Sequence, residues 1–176
     1  MKGIYLGAYK AQHPNHQIIY QDINGQRDLD GDMLAIDLTP YDFIICTPPC
    51  NYWSRANYRR ETSEYAQKTK HLLPEMLRKL CFQTKPWIIE NVRNDKMFAK
   101  HHLFDYPCFV YKVGRHTYWS NVKFIVWDIV QLPKTYIDAN GKKHWRSSQH
   151  LDKKARQGGE EVHQVIERFL NTINKY

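Results

Sequence analysis

Two short segments of the chain carry side chains that could act chemically on a bound molecule. In the first, Thr47-Pro48-Pro49-Cys50, a thiol follows two prolines. The second ends at Glu90, which is followed by Asn91 and Val92. A thiolate can form a covalent intermediate, and a carboxyl group whose pKa is raised can donate a proton. If folding brings Cys50 and Glu90 together, the pair predicts covalent catalysis assisted by an acid.

Each segment follows a run that is typical of a buried strand. Residues 41–46 and 86–92 are short, largely apolar and rich in residue types that favour strands. Open α/β sheets bind ligands at the carboxyl ends of their strands, so Cys50 and Glu90 are predicted to lie at that edge. The two prolines stiffen the exit from the first strand. Two plainer interpretations stay open: Cys50 as an ordinary buried thiol, and Glu90 as a strand-end carboxylate that meets water.

Strands and helices alternate along the chain, which predicts an α/β fold with an open, mostly parallel sheet. Further strands are predicted over residues 2–9, 16–23, 104–113 and 117–126. Few residues separate the first two, whereas a parallel pair normally needs a crossover of a dozen residues or more. These two strands are therefore predicted to form a hairpin or to flank a single helical turn.

Helical patterns follow the cysteine segment and close the sequence. Thr62 or Ser63 can cap a helix whose apolar residues recur with helical period up to Leu80. Pro74 lies inside this stretch and predicts a kink or two consecutive helices. Residues 160–173 carry one apolar stripe, which predicts a helix docked on the sheet.

Composition limits the classes of function. The chain has 176 residues, which favours one domain over 1–176, and its formal net charge of +8 suits a polyanionic partner, with nucleic acid the leading candidate. Four cysteines form no C-x-x-C pair, and no secretory leader or apolar membrane span is evident, so a reducing, cytoplasmic location without membrane contact is predicted. The adjacent His101 and His102 do not share a helix face, and no metal site is predicted.

The Pro-Cys loop at Cys50 and the run Glu90-Asn91-Val92 together resemble the DNA (cytosine-5) methyltransferase family, and its short, phage-type members in particular. Gly31-Asp32-Met33, residues 114–121 and the segment from Gly158 onward resemble further family elements in the same order. The resemblance implies a Rossmann-like methyltransferase sheet, truncated at its N-terminal strand–helix unit. It also implies methylation of DNA cytosine at carbon 5, the chemistry of restriction–modification systems.

The resemblance further implies roles for individual residues. Cys50 would be the nucleophile that adds to C6 of the base, and Glu90 would donate a proton at N3. Arg115 would neutralise charge near O2 and anchor the carboxylate. Pro49 and Asn91 would support the cysteine loop rather than touch the substrate.

The implied cofactor is S-adenosylmethionine and the implied partner is DNA. Asp22 resembles the acidic residue that binds the ribose hydroxyls in the family. Asp32 and Met33 resemble the residues that contact the adenine. The predicted cofactor contacts are Tyr5, Gly7, Asp22, Ile23, Asp32, Met33 and Thr47. The predicted contacts to DNA phosphates are Ser54, Arg55, Asn57, Arg59 and Arg60. Tyr52 or Trp53 would support a flipped base, the alternative being plain packing beneath the loop.

Several alternatives remain open at this point. Gly7 is the one glycine retained where the family has Phe-x-Gly-x-Gly, so the chain could be a degenerate relative that binds DNA or protein without catalysis. It could also modify cytosine carbon 5 with another one-carbon donor. The exocyclic-nitrogen methyltransferases are a weaker alternative, because they need no thiol. Few residues remain for target recognition, which is therefore predicted to rest on a hairpin at about 133–147, carrying Asn140-Gly141, or on a partner subunit.

Overall fold

The computed structural model describes residues 1–7, 13–24, 27–126, 135–137, 143–145 and 159–175. Its elements, in chain order, are β1 (Lys2–Leu6), β2 (Gln17–Asp22), β3 (Leu29–Asp30), β4 (Phe43–Cys46), α1 (Glu64–Thr69), α2 (Leu72–Leu80), β5 (Trp87–Val92), α3 (Asp95–Lys100), β6 (Phe109–Val113), β7 (His116–Ser120), β8 (Thr135–Ile137), β9 (Lys143–Trp145) and α4 (Gly159–Ile173).

Seven strands form one open sheet in the order β3-β2-β1-β4-β5-β7-β6. The pairs β1–β2, β1–β4, β2–β3 and β4–β5 are parallel, whereas β7 runs antiparallel to both of its neighbours. This confirms the predicted α/β fold with an open, mostly parallel sheet. The carboxyl ends of β1, β2, β4 and β5 lie along one edge, which is where such sheets bind ligands.

The predicted hairpin between the first two strands is wrong, because β1 and β2 are parallel, with Lys2 opposite Gln17 and Leu6 opposite Gln21. β1 is a central strand with Ile4, Tyr5 and Leu6 fully buried, and it takes a parallel partner on each side. Burial of β1 favours parallel pairing, and this effect outweighs the preference of parallel pairs for a crossover of a dozen residues or more. The other prediction, a single helical turn between β1 and β2, falls on residues that the structure describes only in part.

The prediction of two consecutive helices around Pro74 is confirmed. Ser63 caps α1, its side-chain oxygen accepting a hydrogen bond from the Ala66 backbone N–H. The chain breaks after Thr69 and resumes as α2 at Leu72, which places Pro74 in the first turn. A proline there removes an N–H that has no partner within the helix, so it starts α2 instead of kinking it.

The sheet has one hydrophobic core on each face. On one face, α1, α2 and α3 cover a cluster that includes Ile44, Ile89 and Trp119. On the other face, α4 covers Tyr5, Ile45 and other strand residues. The apolar stripe of α4 is buried, as the sequence predicts, and consists of Val162, Val165, Ile166, Phe169, Leu170 and Ile173.

Three other outcomes concern element boundaries. The short helix α3 and the two-residue strand β3 were not predicted, and β6 and β7 are shorter than the stretches 104–113 and 117–126. β8 and β9 pair in antiparallel fashion, as the hairpin prediction requires, while the Asn140-Gly141 turn lies outside the described residues. In the described part of the chain, no helix has the length and apolar character needed to cross a membrane.

Candidate active site

The cysteine loop begins where β4 ends, at the carboxyl edge of the sheet. The backbone N–H of Thr47 donates to the Leu6 carbonyl (2.8 Å), which extends the β1–β4 pairing by one residue. After the two prolines the Cys50 carbonyl accepts a hydrogen bond from the Ser54 N–H (2.8 Å), which closes a tight turn. Cys50 is thereby held half-buried at the edge of the sheet.

Two asparagines near the end of β5 hold the loop in place. Asn91 donates from its side-chain amide to the Pro48 carbonyl (3.0 Å), and Asn94 donates to the Trp53 carbonyl (2.7 Å). Both asparagines are buried, so losing either bond would leave a carbonyl without a partner away from water. The predicted contact of Asn91 with the loop is present. Asn94 was not singled out, although it also caps α3, accepting from the Met97 N–H (3.4 Å).

Glu90 lies on the face of β5 that α4 covers, with 14% of its side chain exposed. Burial raises the pKa of the Glu90 carboxyl above its ordinary value. Burial is also the main cause that raises the pKa of the Cys50 thiol, and the charge of Glu90 adds to that rise. Because β4 and β5 are adjacent parallel strands, the loop that carries Cys50 and the end of β5 that carries Glu90 lie at the same edge of the sheet.

A histidine that the sequence analysis did not single out links Glu90 to the C-terminal helix. The Nε2 atom of His116 lies 3.8 Å from a Glu90 carboxylate oxygen, and its Nδ1 atom lies 3.0 Å from Glu161. The two carboxylates raise the pKa of His116 despite its burial, and the hydrogen bond to Glu161 is the largest favourable cause. His116 starts β7 opposite Val92, and its only sequence signal was the Gly114-Arg115-His116 run between two strands.

Arg115 occupies the turn between β6 and β7, beside this histidine. Its side chain is exposed, and its carbonyl accepts a hydrogen bond from the Arg93 N–H (2.6 Å). The positive charge of Arg115 opposes protonation of His116. Arg115 therefore lies on the same side of the sheet edge as Glu90, at the rim.

Gly7 leaves β1 beside the cysteine loop in a conformation that favours glycine. Its φ is +113°, and a Cβ atom at this position would lie 2.4 Å from the Thr47 carbonyl oxygen. The backbone can make this close approach only without a side chain. The Thr47 hydroxyl is buried and has no hydrogen-bond partner among the described residues, so it is available to form a hydrogen bond with a ligand.

Four of the other predicted cofactor contacts lie at the end of β2 or just after β2 and β3. Asp22 is half-buried at the end of β2, and the next residue, Ile23, is 68% exposed, which is unusual for a large apolar side chain. Asp32 is exposed and accepts from the Leu34 N–H (3.0 Å), while Met33 is buried. The set thus combines a carboxylate with exposed and buried apolar surface at one edge.

Tyr5, by contrast, points its ring into the core under α4. The ring is fully buried and stacks against Tyr20, with ring centres 5.6 Å apart. Any contribution of Tyr5 to a ligand at the edge must therefore come from its backbone.

The basic loop after Cys50 divides into an internal and an exposed part. Arg60 donates from its guanidinium to the carbonyls of Ser54 (2.9 Å) and Asn57 (3.0 Å), and Asn57 donates to the Asn51 carbonyl (2.8 Å). These residues shape the loop. Arg55 and Arg59 are exposed, and the Arg59 guanidinium lies 5.8 Å from the centre of the exposed Tyr58 ring.

The two aromatic residues suggested to support a flipped base are buried. Tyr52 is 7% exposed and Trp53 is 2% exposed, and their rings meet edge to face with centres 5.1 Å apart. Trp53 also packs on Phe98 of α3. The plain alternative, packing beneath the loop, therefore describes these side chains.

Comparisons with known proteins relate this chain to methyltransferases. A family model described as C-5 cytosine-specific DNA methylase matches residues 6–108, more than half of the chain. The Type II methyltransferase M1.HgaI of Avibacterium volantium is 34% identical over 87 residues, which is 48% of this chain and 24% of that protein. This chain therefore spans about a quarter of the length of that relative.

Among solved structures, the methyltransferase EhMeth of Entamoeba histolytica aligns over 86% of this chain and 60% of that chain, with 14% identity and a TM-score of 0.37. The family match includes Cys50 and Glu90 and ends before Arg115 and His116.

Proposed function

Because this chain belongs to the C-5 cytosine-specific DNA methylase family, we propose that it methylates carbon 5 of cytosine in DNA through a covalent adduct on Cys50. The single catalytic domain spans residues 1–176, and its sheet is of the Rossmann-like methyltransferase type. The observation that carries the proposal is the pairing of the parallel strands β4 and β5, which brings the Cys50 loop and Glu90 to one carboxyl edge, where Asn91 donates to the Pro48 carbonyl (3.0 Å). Chemistry at carbon 5 needs a nucleophile and an acid on one ring.

Cys50 supplies the nucleophile. Its sulfur adds to C6 of the cytosine, and the electron pair of the 5,6 double bond makes carbon 5 nucleophilic. The raised pKa of Cys50 keeps a thiol in the free site at neutral pH, so the proton passes from the sulfur to solvent water as the S–C6 bond forms. Once carbon 5 has been substituted, its hydrogen leaves as a proton to water, the electron pair of the C5–H bond restores the 5,6 double bond, and the S–C6 bond breaks to regenerate Cys50.

Glu90 supplies the acid. Addition at C6 develops negative charge that reaches N3, and a carboxyl group whose pKa is raised by burial can donate a proton there. His116 faces the same carboxylate and holds its position, while Arg115 at the rim neutralises charge near O2. Asn91 and Pro49 keep the cysteine loop in register with β5.

The residues at the edge of β1, β2 and β4 fit the adenosyl group of S-adenosylmethionine. Gly7 lets the backbone pass close to Thr47, whose buried hydroxyl is open to a partner, and Asp22 with the exposed Ile23 offers acceptors for ribose hydroxyls beside an apolar surface for adenine. Asp32, Met33 and the backbone of Tyr5 complete the site. When bound, this cofactor supplies the methyl group as an electrophile.

Arg55 and Arg59 are the side chains best placed to contact DNA phosphates, with Ser54, Asn57 and Arg60 shaping the loop that carries them. The β8–β9 hairpin, within residues 133–147, or a partner subunit would select the target sequence. A short recognition element predicts short or relaxed sequence specificity.

Nucleoside mass spectrometry tests the proposed function directly. DNA incubated with the full chain and S-adenosylmethionine should yield 5-methylcytosine, and omission of the cofactor should abolish it. Unmodified DNA in the presence of the cofactor, together with intact DNA binding, would instead identify the degenerate relative. A different mass at carbon 5 with another one-carbon donor would identify the third alternative.

Salt dependence tests the DNA surface. Replacing Arg55 with alanine should weaken DNA binding uniformly across sequences and reduce the slope of log K against log salt by about one. Arg78→Ala removes one exposed charge on α2 and serves as the matched control, with the slope unchanged. Equal slopes for Arg55→Ala and Arg78→Ala in fluorescence anisotropy titrations would remove Arg55 from the interface.

The value of kcat/KM should fall as the pH rises through the raised pKa of Glu90, because the active form carries a protonated carboxyl. The pKa of the Cys50 thiol is raised too, and the thiol titrates at higher pH than the carboxyl because their ordinary values differ by about four units. Glu90→Gln should therefore lose this alkaline limb, and an unchanged alkaline limb in that variant would exclude Glu90 as the titrating acid.

A further inference from the structure

A second cluster of titratable side chains lies away from the cysteine loop, between α4 and the connection from β1 to β2. His13, His163 and Glu167 each offer a ligand atom, and these atoms lie within 4.8 Å of one another. His163 and Glu167 are four residues apart on α4, which places them on one face of the helix. His13 reaches them from a turn in which the His16 N–H donates to the His13 carbonyl (3.0 Å).

Two imidazole nitrogens in this cluster lack the partners that buried nitrogens normally have. His13 is 1% exposed, and neither its Nε2 atom nor the Nδ1 atom of His163 has a hydrogen-bond partner among the described residues. The other ring nitrogen of His13 bonds the Glu167 carboxylate. Buried polar nitrogens are rarely left unpaired, so the two open nitrogens indicate a missing ligand.

The surroundings of the cluster position it and leave it accessible. The His13 N–H donates to the Tyr20 hydroxyl (2.8 Å), and the His13 and His163 rings stack with centres 4.7 Å apart. The Nε2 atom of His16 lies 3.5 Å from the second carboxylate oxygen of Glu167. A cavity of about 490 Å³, lined in part by His163 and Glu167, opens beside the cluster.

We propose that His13, His163 and Glu167 bind one divalent transition-metal ion of the zinc class, with a fourth position open to water. Imidazole nitrogens with one carboxylate oxygen form a donor set that suits Zn²⁺ and its neighbours, whereas Mg²⁺ and Ca²⁺ prefer oxygen ligands alone. The ion satisfies the two open nitrogens and balances the carboxylate. We assign the ion a structural role, because none of its three ligands is among the residues proposed to act on the base.

Such an ion would fasten α4 to the β1–β2 connection. His163 lies two residues from Glu161, which contacts His116, and the connection starts at Gly7 on the edge of the sheet. Metal binding therefore stabilises both the packing of α4 and the β1–β2 connection that carries His13. Because the ion binds the folded chain, saturating metal should raise the melting temperature by about 5–10 °C for a chain of this size.

The test uses the full chain without a polyhistidine tag, treated with a chelator and dialysed. Equilibrium dialysis against Zn²⁺ with elemental analysis should give one ion per chain, and Co²⁺ should give the visible absorption bands of a low-symmetry, four-coordinate site. Thermal melts with and without Zn²⁺ should show the shift given above. Binding of less than one ion per chain at micromolar Zn²⁺, or stronger stabilisation by Mg²⁺ or Ca²⁺, would overturn the proposal.

Variants locate the site. His163→Gln and Glu167→Gln should each weaken Zn²⁺ binding by at least ~10-fold and remove the thermal shift. His102→Gln, an exposed histidine elsewhere in the chain, is the matched control and should behave as the wild type. Circular dichroism without metal establishes that each variant is folded, and two substitutions at different positions guard against loss of fold in one. Wild-type stoichiometry and shift in either folded variant would place the ion elsewhere.

Discussion

Replacing Cys50 with serine will abolish covalent capture of DNA and reduce methyl transfer by at least ~10³-fold. An oligonucleotide with 5-fluorocytosine traps the wild-type adduct, because fluorine at carbon 5 cannot leave as a proton. Serine has nearly the shape of cysteine but is a much poorer nucleophile toward C6. Denaturing electrophoresis of the complex and radiolabel transfer from the cofactor measure the two effects.

Cys81→Ser is the control for this experiment, since Cys81 is a free, partly exposed thiol at the end of α2. It should form the adduct as the wild type does. An adduct that persists in Cys50→Ser would remove Cys50 from the mechanism, and one that disappears in both variants would point to a general loss of structure.

Replacing Glu90 with glutamine should lower kcat by about 10²–10⁴-fold, while DNA affinity and the fold are retained. The amide keeps the size of the side chain but cannot transfer its proton to N3. Single-turnover kinetics separate this loss from binding, and Glu64→Gln, an exposed carboxylate at the start of α1, is the matched control. Full activity in Glu90→Gln would reduce Glu90 to a structural residue.

The same variant should gain stability relative to the wild type as the pH rises. Burial raises the pKa of folded Glu90 above its value in the unfolded chain, so the folded state binds the proton more tightly. The wild type therefore loses stability between the ordinary carboxyl pKa and the raised one, a loss that glutamine does not share. Melting temperatures over this range measure the difference, and a variant that melts lower throughout would contradict the sign.

Those parts of the site that depend on local pattern could be predicted from the sequence. The runs 41–46 and 86–92 are apolar and are followed by residues of other types, so the sequence predicts the strand ends that position Cys50 and Glu90. The helix break near Pro74 and the apolar stripe of α4 have equally local causes. Each rests on backbone geometry or periodicity within a few residues.

Features that depend on distant contacts could not be predicted. Glu161 is forty-five residues from His116, and no spacing rule relates the two before the sheet and α4 have been assembled. The parallel pairing of β1 and β2 likewise follows from the central position of β1, which no single segment reveals. The internal role of Arg60 was hidden too, because Arg55, Arg59 and Arg60 are alike in sequence and differ only in which carbonyls they meet.

The division of the sheet into two cores has a consequence for the order of assembly during synthesis. Strands β1 to β7 and the helices α1 to α3 emerge from the ribosome before α4, and they complete only one face. Until α4 arrives, the nascent polypeptide presents an apolar surface that includes Tyr5, Ile45 and Ile88, a species prone to aggregation and suited to chaperone binding. Glu90 lies on the same face, so its surroundings are complete only after α4 has packed and Glu161 contacts His116.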